Sequence, residues 1–172
     1  LDMVGFSKKD HTLRVTALAQ KIVEVVAILH SSHVIHLSLT PENILLIPRT
    51  TVMQGFDLVS TPYDIKLCGL GKSMQVISVA SGFGVASSHH SVTPYSSPEQ
   101  TGRYNAPVGF QSDLYSLGCI FYEMMTGVAP FQSCTASDLI LKVNNGYSPT
   151  LVFFFLNFFQ LRIFKEIALT PV

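Results

Sequence analysis

The sequence carries no net charge, since eleven Lys and Arg balance eleven Asp and Glu over 172 residues. That balance leaves no basic face of the kind that draws a chain to nucleic acid or to anionic lipid, so neither is an expected partner. Cysteine is scarce: Cys68, Cys119 and Cys134 are odd in number and irregularly spaced, which excludes a disulfide framework and a zinc site. A reducing, cytoplasmic setting is the matching expectation. No basic, apolar, small-residue export signal opens the chain, and a start at LDMVGF without an initiator Met reads as a piece of something longer. Long apolar runs are missing as well, with one partial exception. LVFFFLNFFQLRIF at residues 151–164 is broken by Asn157, Gln160 and Arg162, and it falls short of the roughly 20 residues a spanning helix needs. No internal repeat is visible.

What the chain does contain is an ordered series of elements. A helix is expected from Asp10 to Ser31, capped by Asp10, with Leu18, Ile22, Val25 and Leu29 at i, i+4, i+7 and i+11 forming its buried stripe. HVIHLSLTPEN then reads as a loop punctuated by Pro41, and ILLI as a short strand. DIKLCGL follows as a second short strand with Ile65 and Leu67 inward. Residues 72–97, rich in Ser, Val and Gly, have no sustained period and are expected to form a long surface loop. SDLYSLGCIFYEMMTG is a helix with Ser112 or Asp113 at its cap, Leu114, Leu117, Phe121 and Met124 on one face, and Gly127 as its stop.

The order helix, HxxLxPEN, strand, strand ending in GLG, long loop closing with TPYSSPE, and helix opening with SDLYSLG resembles the C-terminal lobe of a protein kinase. The resemblance covers about residues 10–142 and implies a mainly α (α+β) fold, a kinase-like rear lobe with short β-hairpins. Within it, SPEQTGRYNAPVGFQSDLYSLGCIFYEMMTGVAPFQS is similar to the kinase-like module at the front of multi-sensor hybrid histidine kinases. Histidine kinase or sensor domains of the same parent chain are then the expected partners. The family's Gly-rich loop, strand Lys and helix Glu have no counterpart before residue 10, so the front lobe is expected to be absent from this chain.

The family's chemistry carries over position by position. Its catalytic Asp, which accepts the proton of the attacking hydroxyl, corresponds to Ser38, and the Arg before it to Leu37. Loss of a positioned base costs on the order of 100-fold to 10,000-fold in rate. The Lys that steadies the transferred phosphate corresponds to Thr40. Where the family has DFG, this chain has Gly69, Leu70 and Gly71, and glycine offers magnesium no side-chain oxygen. Asn43 matches the other magnesium ligand, but a single amide oxygen binds Mg2+ weakly, which favours a bracing role for it. ATP and Mg2+ are therefore the cofactors the resemblance implies, and they are not expected on this chain alone. The frame positions persist: His36 matches the family's loop-anchoring His, Asp113 matches the Asp that in the family holds the loop backbone, Thr93 with Pro94 and Tyr95 matches the substrate side, and Ser97, Pro98 and Glu99 match the APE motif. In the family Glu99 pairs with a distant Arg, which this chain is expected to lack.

Other motifs carry less. GLGKS at 69–73 ends like a phosphate loop, but the required first Gly falls at Lys66. GFGVAS at 82–87 has no strand before it. His30, His33 and His36 are spaced by three but cross a helix end, so a metal role is not expected of them. His89 and His90 read as solvated loop residues.

VNNGYSPTLVFFFLNFFQ, residues 143–160, interrupts the kinase-like region of residues 1–142, and residues 161–172 resume it. Val-Asn-Asn can encode an intron's GT opening and the Phe runs a pyrimidine tract closing on CAG, so the segment is expected to be a retained intron. Three functions follow: an impaired pseudokinase lobe with a docking or signalling role, an active ATP-dependent serine/threonine kinase when full length, or a truncated gene product without function.

Overall fold

The computed structural model describes residues 8–49, 57–58, 60–76, 92–102, 107–132 and 135–145. Helix α1 spans Lys8–Ser31, a stretch with three each of Ala, Leu and Lys that contains neither Gly nor Pro. Asp10 lies inside its first turn rather than at the cap, where its charge complements the helix dipole. The buried line is Val15, Ala19, Ile22, Val26, with Val23 beside it. The expected stripe shares only Ile22 with this line, because the run IVEVV is apolar around more than one face and periodicity alone does not locate its centre. Packing against the second long helix decides the phase. The helix closes where the Ser31 and Ser32 hydroxyls donate to the Ile28 carbonyl at 2.8 and 3.1 Å, and where His33 turns left-handed at φ 56°.

Two small antiparallel sheets follow. Strand β1 (Val34–Ile35) pairs with β4 (Met74–Gln75), and β2 (Ile44–Pro48) pairs with β3 (Tyr63–Leu67), Ile44 opposite Leu67 and Pro48 opposite Tyr63. The expected strands are β2 and β3, with Tyr63, Ile65 and Leu67 on the inward side. The pairing of β1 with β4 corrects the reading of residues 72–97 as loop throughout: a strand of two residues is too short to show a period. Residues 77–91 of that expected loop lie outside the described residues.

Helix α2 (Phe110–Thr126) begins two residues earlier than its expected cap, after Gly109, so Ser112 and Asp113 sit inside its first turn, both fully buried. Gly127 closes it in the left-handed region at φ 78°, its N–H on the Glu123 carbonyl at 2.7 Å. Leu117 and Phe121 are buried, joined by Cys119 and Ile120, while Leu114 and Met124 flank the core. Fully burying side chains of this size contributes roughly 1.5–3 kcal/mol each. Helix α3 (Ala136–Asn144) is capped by Thr135, whose hydroxyl oxygen accepts from the Asp138 N–H at 3.2 Å. Val143, in the last turn of α3, is buried in the core, and Asn144 accepts from the Thr101 hydroxyl at 2.9 Å. These are the opening residues of the expected insert, whose span from 146 onward lies outside the described residues. Among the described residues no helix is long and apolar enough to cross a membrane.

Candidate functional site

Residues 36–43 form a loop held from below by one carboxylate. Asp113 accepts the backbone N–H of Leu37 on Oδ1 and that of His36 on Oδ2, each at 2.8 Å, and Oδ2 also lies 2.8 Å from His30 Nε2. The His30 ring in turn tilts against Phe110, centroids 4.7 Å apart. Hydrogen bonds to a charged partner are worth about 1.5–3 kcal/mol each, enough to hold the loop in a conformation it would not choose alone. Leu37 is that conformation: its φ of 58° is left-handed, at a cost of roughly 1–2 kcal/mol for a residue with a side chain. Its carbonyl is held as well, by Gln100 Nε2 at 2.9 Å.

His36 is buried above Asp113. Its Nε2 donates to the Cys68 carbonyl at 3.0 Å and its Nδ1 accepts the Ser38 N–H at 3.3 Å, a pairing that only the neutral ring satisfies. Burial pushes its pKa below the ordinary 6.5, outweighing the opposite pull of Asp113. Ser38 is half-buried, and its carbonyl accepts Asn43 Nδ2 at 2.8 Å. Thr40 is buried; its hydroxyl beside Glu42 holds that carboxyl below the usual range, and its carbonyl accepts the Asn43 N–H at 3.0 Å. Residues Pro41–Asn43 make one turn of 3-10 helix, from which the Asn43 carbonyl accepts the Cys68 N–H at 2.9 Å. Gly69 adopts φ 77° against the Asn43 side chain.

These residues do not fit a divalent metal. Mg2+ takes about six oxygens, one or two of them from protein carboxylates and the rest from water and phosphate. Gly69 brings none, and the Asn43 amide is engaged inside the loop, with Nδ2 on Ser38 and Oδ1 3.6 Å from Cys68 Sγ. Among the described residues no group of three or more His, Cys, Asp or Glu converges. His30, His33 and His36 part company: the first faces Asp113, the second is exposed, and the third faces Cys68.

The other wall is the segment from Val92 to Thr101. Ser96 Oγ accepts the Thr93 N–H at 3.0 Å and lies 3.2 Å from Thr93 Oγ1, which accepts the Tyr95 N–H at 3.3 Å. Tyr95 is buried. Its hydroxyl donates to Glu123 Oε2 at 2.5 Å and its carbonyl accepts from Ser116 Oγ at 2.8 Å. Burial and the facing Glu123 raise the Tyr95 pKa. Glu99 accepts from Ser112 Oγ at 2.6 Å, so among the described residues its partner is a hydroxyl of α2. Ser38, Thr93, Ser96, Gln100 and Lys72 line a small cavity between the two walls.

Four contributors escaped the sequence reading: Gln100, Ser116, Glu123 and His30. Gln100 had a local signal, since Ser97 three residues earlier sets capping-box spacing, and its Oε1 does accept the Ser97 N–H at 3.0 Å. His30 meets Asp113 across 83 residues, and no local pattern reports that.

The sequence pattern of the protein kinase domain matches residues 5–151, well over half of the chain. The chain belongs to the protein kinase domain family. This kinase domain is 35% identical over 123 residues to a probable serine/threonine-protein kinase, CPE1738, of Clostridium perfringens, covering 71% of this chain and 15% of that protein. It is 59% identical over 46 residues to the hybrid signal transduction histidine kinase G of Dictyostelium discoideum, covering 27% of this chain and 1% of that one. With histidine protein kinase 1 of Candida albicans it shares 29% identity over 124 residues, 70% of this chain and 4% of the relative. The kinase domain thus spans a small fraction of the length of these relatives.

Proposed function

We propose that this kinase domain serves as a docking or regulatory module, a pseudokinase, beside histidine kinase or sensor domains of the same parent protein. One observation carries the reading. The loop's frame is fully tied, through Asp113, His36 and Gln100, while the two positions that hold the family's acids are Ser38 and Gly69. A serine hydroxyl takes up no proton near neutral pH, and Gly69 brings no side-chain oxygen to a cation. The two histidine kinases among its relatives support the kind of neighbour proposed.

A second reading, an active serine/threonine kinase in its full-length setting, is favoured by the serine/threonine kinase relative aligned over 71% of the chain. One experiment separates them. The purified full-length parent protein is incubated with Mg-ATP labelled in its gamma-phosphate and a general serine/threonine acceptor, beside its S38A/N43A variant. The docking reading expects equal labelling of the acceptor by the two. Labelling above the double variant overturns it.

A further inference from the structure

We infer that the recess between the two walls binds the phosphate group of a phosphomonoester, presented by an already phosphorylated serine or threonine side chain. Among the described residues its lining holds one cation, Lys72, three hydroxyls, on Ser38, Thr93 and Ser96, and no carboxylate. That donor set suits an anion with several acceptor oxygens. The hydroxyls have protons to give. Ser96 Oγ already accepts the Thr93 N–H at 3.0 Å, and Thr93 Oγ1 the Tyr95 N–H at 3.3 Å. Between these two oxygens, 3.2 Å apart, one proton makes the mutual bond, and the other has no partner among the described residues. The Ser38 hydroxyl has none there either, since only its backbone is tied.

The back of the recess is fixed in advance. Gln100 commits both ends of its amide to the frame, Oε1 to the Ser97 N–H at 3.0 Å and Nε2 to the Leu37 carbonyl at 2.9 Å, so little ordering is left to a ligand. The free space is about 280 Å3 with the open mouth included, and it narrows to a floor that admits about one sphere of water size. A phosphomonoester fits that taper with one oxygen in the floor and its ester bond directed out through the mouth. The acid that the kinase family holds at position 38 would put negative charge in this wall and repel a phosphate, whereas Ser38 removes the charge and adds a donor. The replacement that ends proton transfer thus opens the recess to a finished phosphomonoester. The inference rests on the docking reading, whose partner it specifies as a phosphorylated segment.

The test titrates the full-length parent protein with a fluorescent peptide carrying one phosphoserine among glycines and alanines, read by anisotropy, with inorganic phosphate as competitor. The phosphopeptide is expected to bind, its unphosphorylated form is not, and inorganic phosphate is expected to displace it. K72M removes the cation and S38D restores the repelling charge, and each is expected to weaken binding about tenfold or more. K66M, which removes an exposed lysine of β3 outside the recess, is expected to bind as the wild type does. Equal affinity in K72M and the wild type, or no phosphate-dependent binding, overturns the site, and K72M decides the matter if S38D fails to fold. Inorganic phosphate that binds while the phosphopeptide does not, with the same dependence on Lys72, upholds the phosphate site and overturns the phosphorylated side chain as its source. The labelling experiment reads transfer and this one reads binding, so failure of the docking reading and failure of the recess are seen separately.

Discussion

Replacing Asp113 with asparagine tests the central support of the loop with the smallest change of shape. The carboxylate is fully buried and meets the His36 and Leu37 amides and His30 Nε2. An asparagine there keeps one acceptor oxygen. Its better orientation places that oxygen at the Oδ2 position, facing His36 and His30, and turns an NH2 group toward the Leu37 N–H. One charge-assisted bond is then lost and replaced by a donor facing a donor, while the bonds that remain become neutral. The loss comes to about 2–4 kcal/mol. In a chain of this size, at about 2–4 °C per kcal/mol, the melting temperature falls by roughly 4–16 °C. Urea unfolding followed by circular dichroism measures it, with the slope checked against the wild type. D64N is the control, because Asp64 makes an exposed pair with Arg49, and no change of midpoint is expected there. A D113N loss under about 1 kcal/mol at unchanged slope would refute the reasoning, since a single net hydrogen bond of ordinary strength already accounts for that much.

Two further outcomes are expected. His36 is buried neutral with its pKa below 6.5, so the unfolded chain takes up the proton first: the stability it contributes is complete above 6.5 and is lost as the pH falls through the folded-state value. Urea midpoints between about pH 8 and about pH 5 should therefore fall less steeply in H36N than in the wild type, and superimposable slopes would exclude this role for the ring. Asp57, drawn down from 3.8 to about 2 by the Ser60 hydroxyl and amide and then by Arg14, loses its contribution only as the pH falls from 3.8 through about 2, below the pH range of that comparison. Y95F removes the hydroxyl that ties the wall segment to Glu123, and a loss of about 1–2 kcal/mol is expected by urea unfolding. No measurable loss would mean that Glu123 is equally well satisfied by water.

What could be read from the sequence follows the range of the interactions. Helix α2 was legible because its signals are local: a turn-compatible Gly127, and apolar residues at helical spacing. The phase of α1 was not, since Ile22, Val23, Val25 and Val26 make the helix apolar around too wide an arc for pattern alone to choose a face. The β1–β4 pair is two residues long and joins segments about forty positions apart in sequence. In the site, the types at positions 38, 43, 69 and 113 stood out only through resemblance to kinases. The contacts that explain them, Asn43 folded into the space of Gly69 and Gln100 holding Leu37, arise between segments that meet only in the fold.

The first turn of α2 also sets a schedule for the newborn chain. His36 waits for an acceptor 77 residues further on, and at about 5–20 residues per second the ribosome takes roughly 4–15 s to deliver it. Until then two amides destined for a dry interior have only water to bond. Helix α1, made before α2, must therefore wait, half-wrapped, for its anchor.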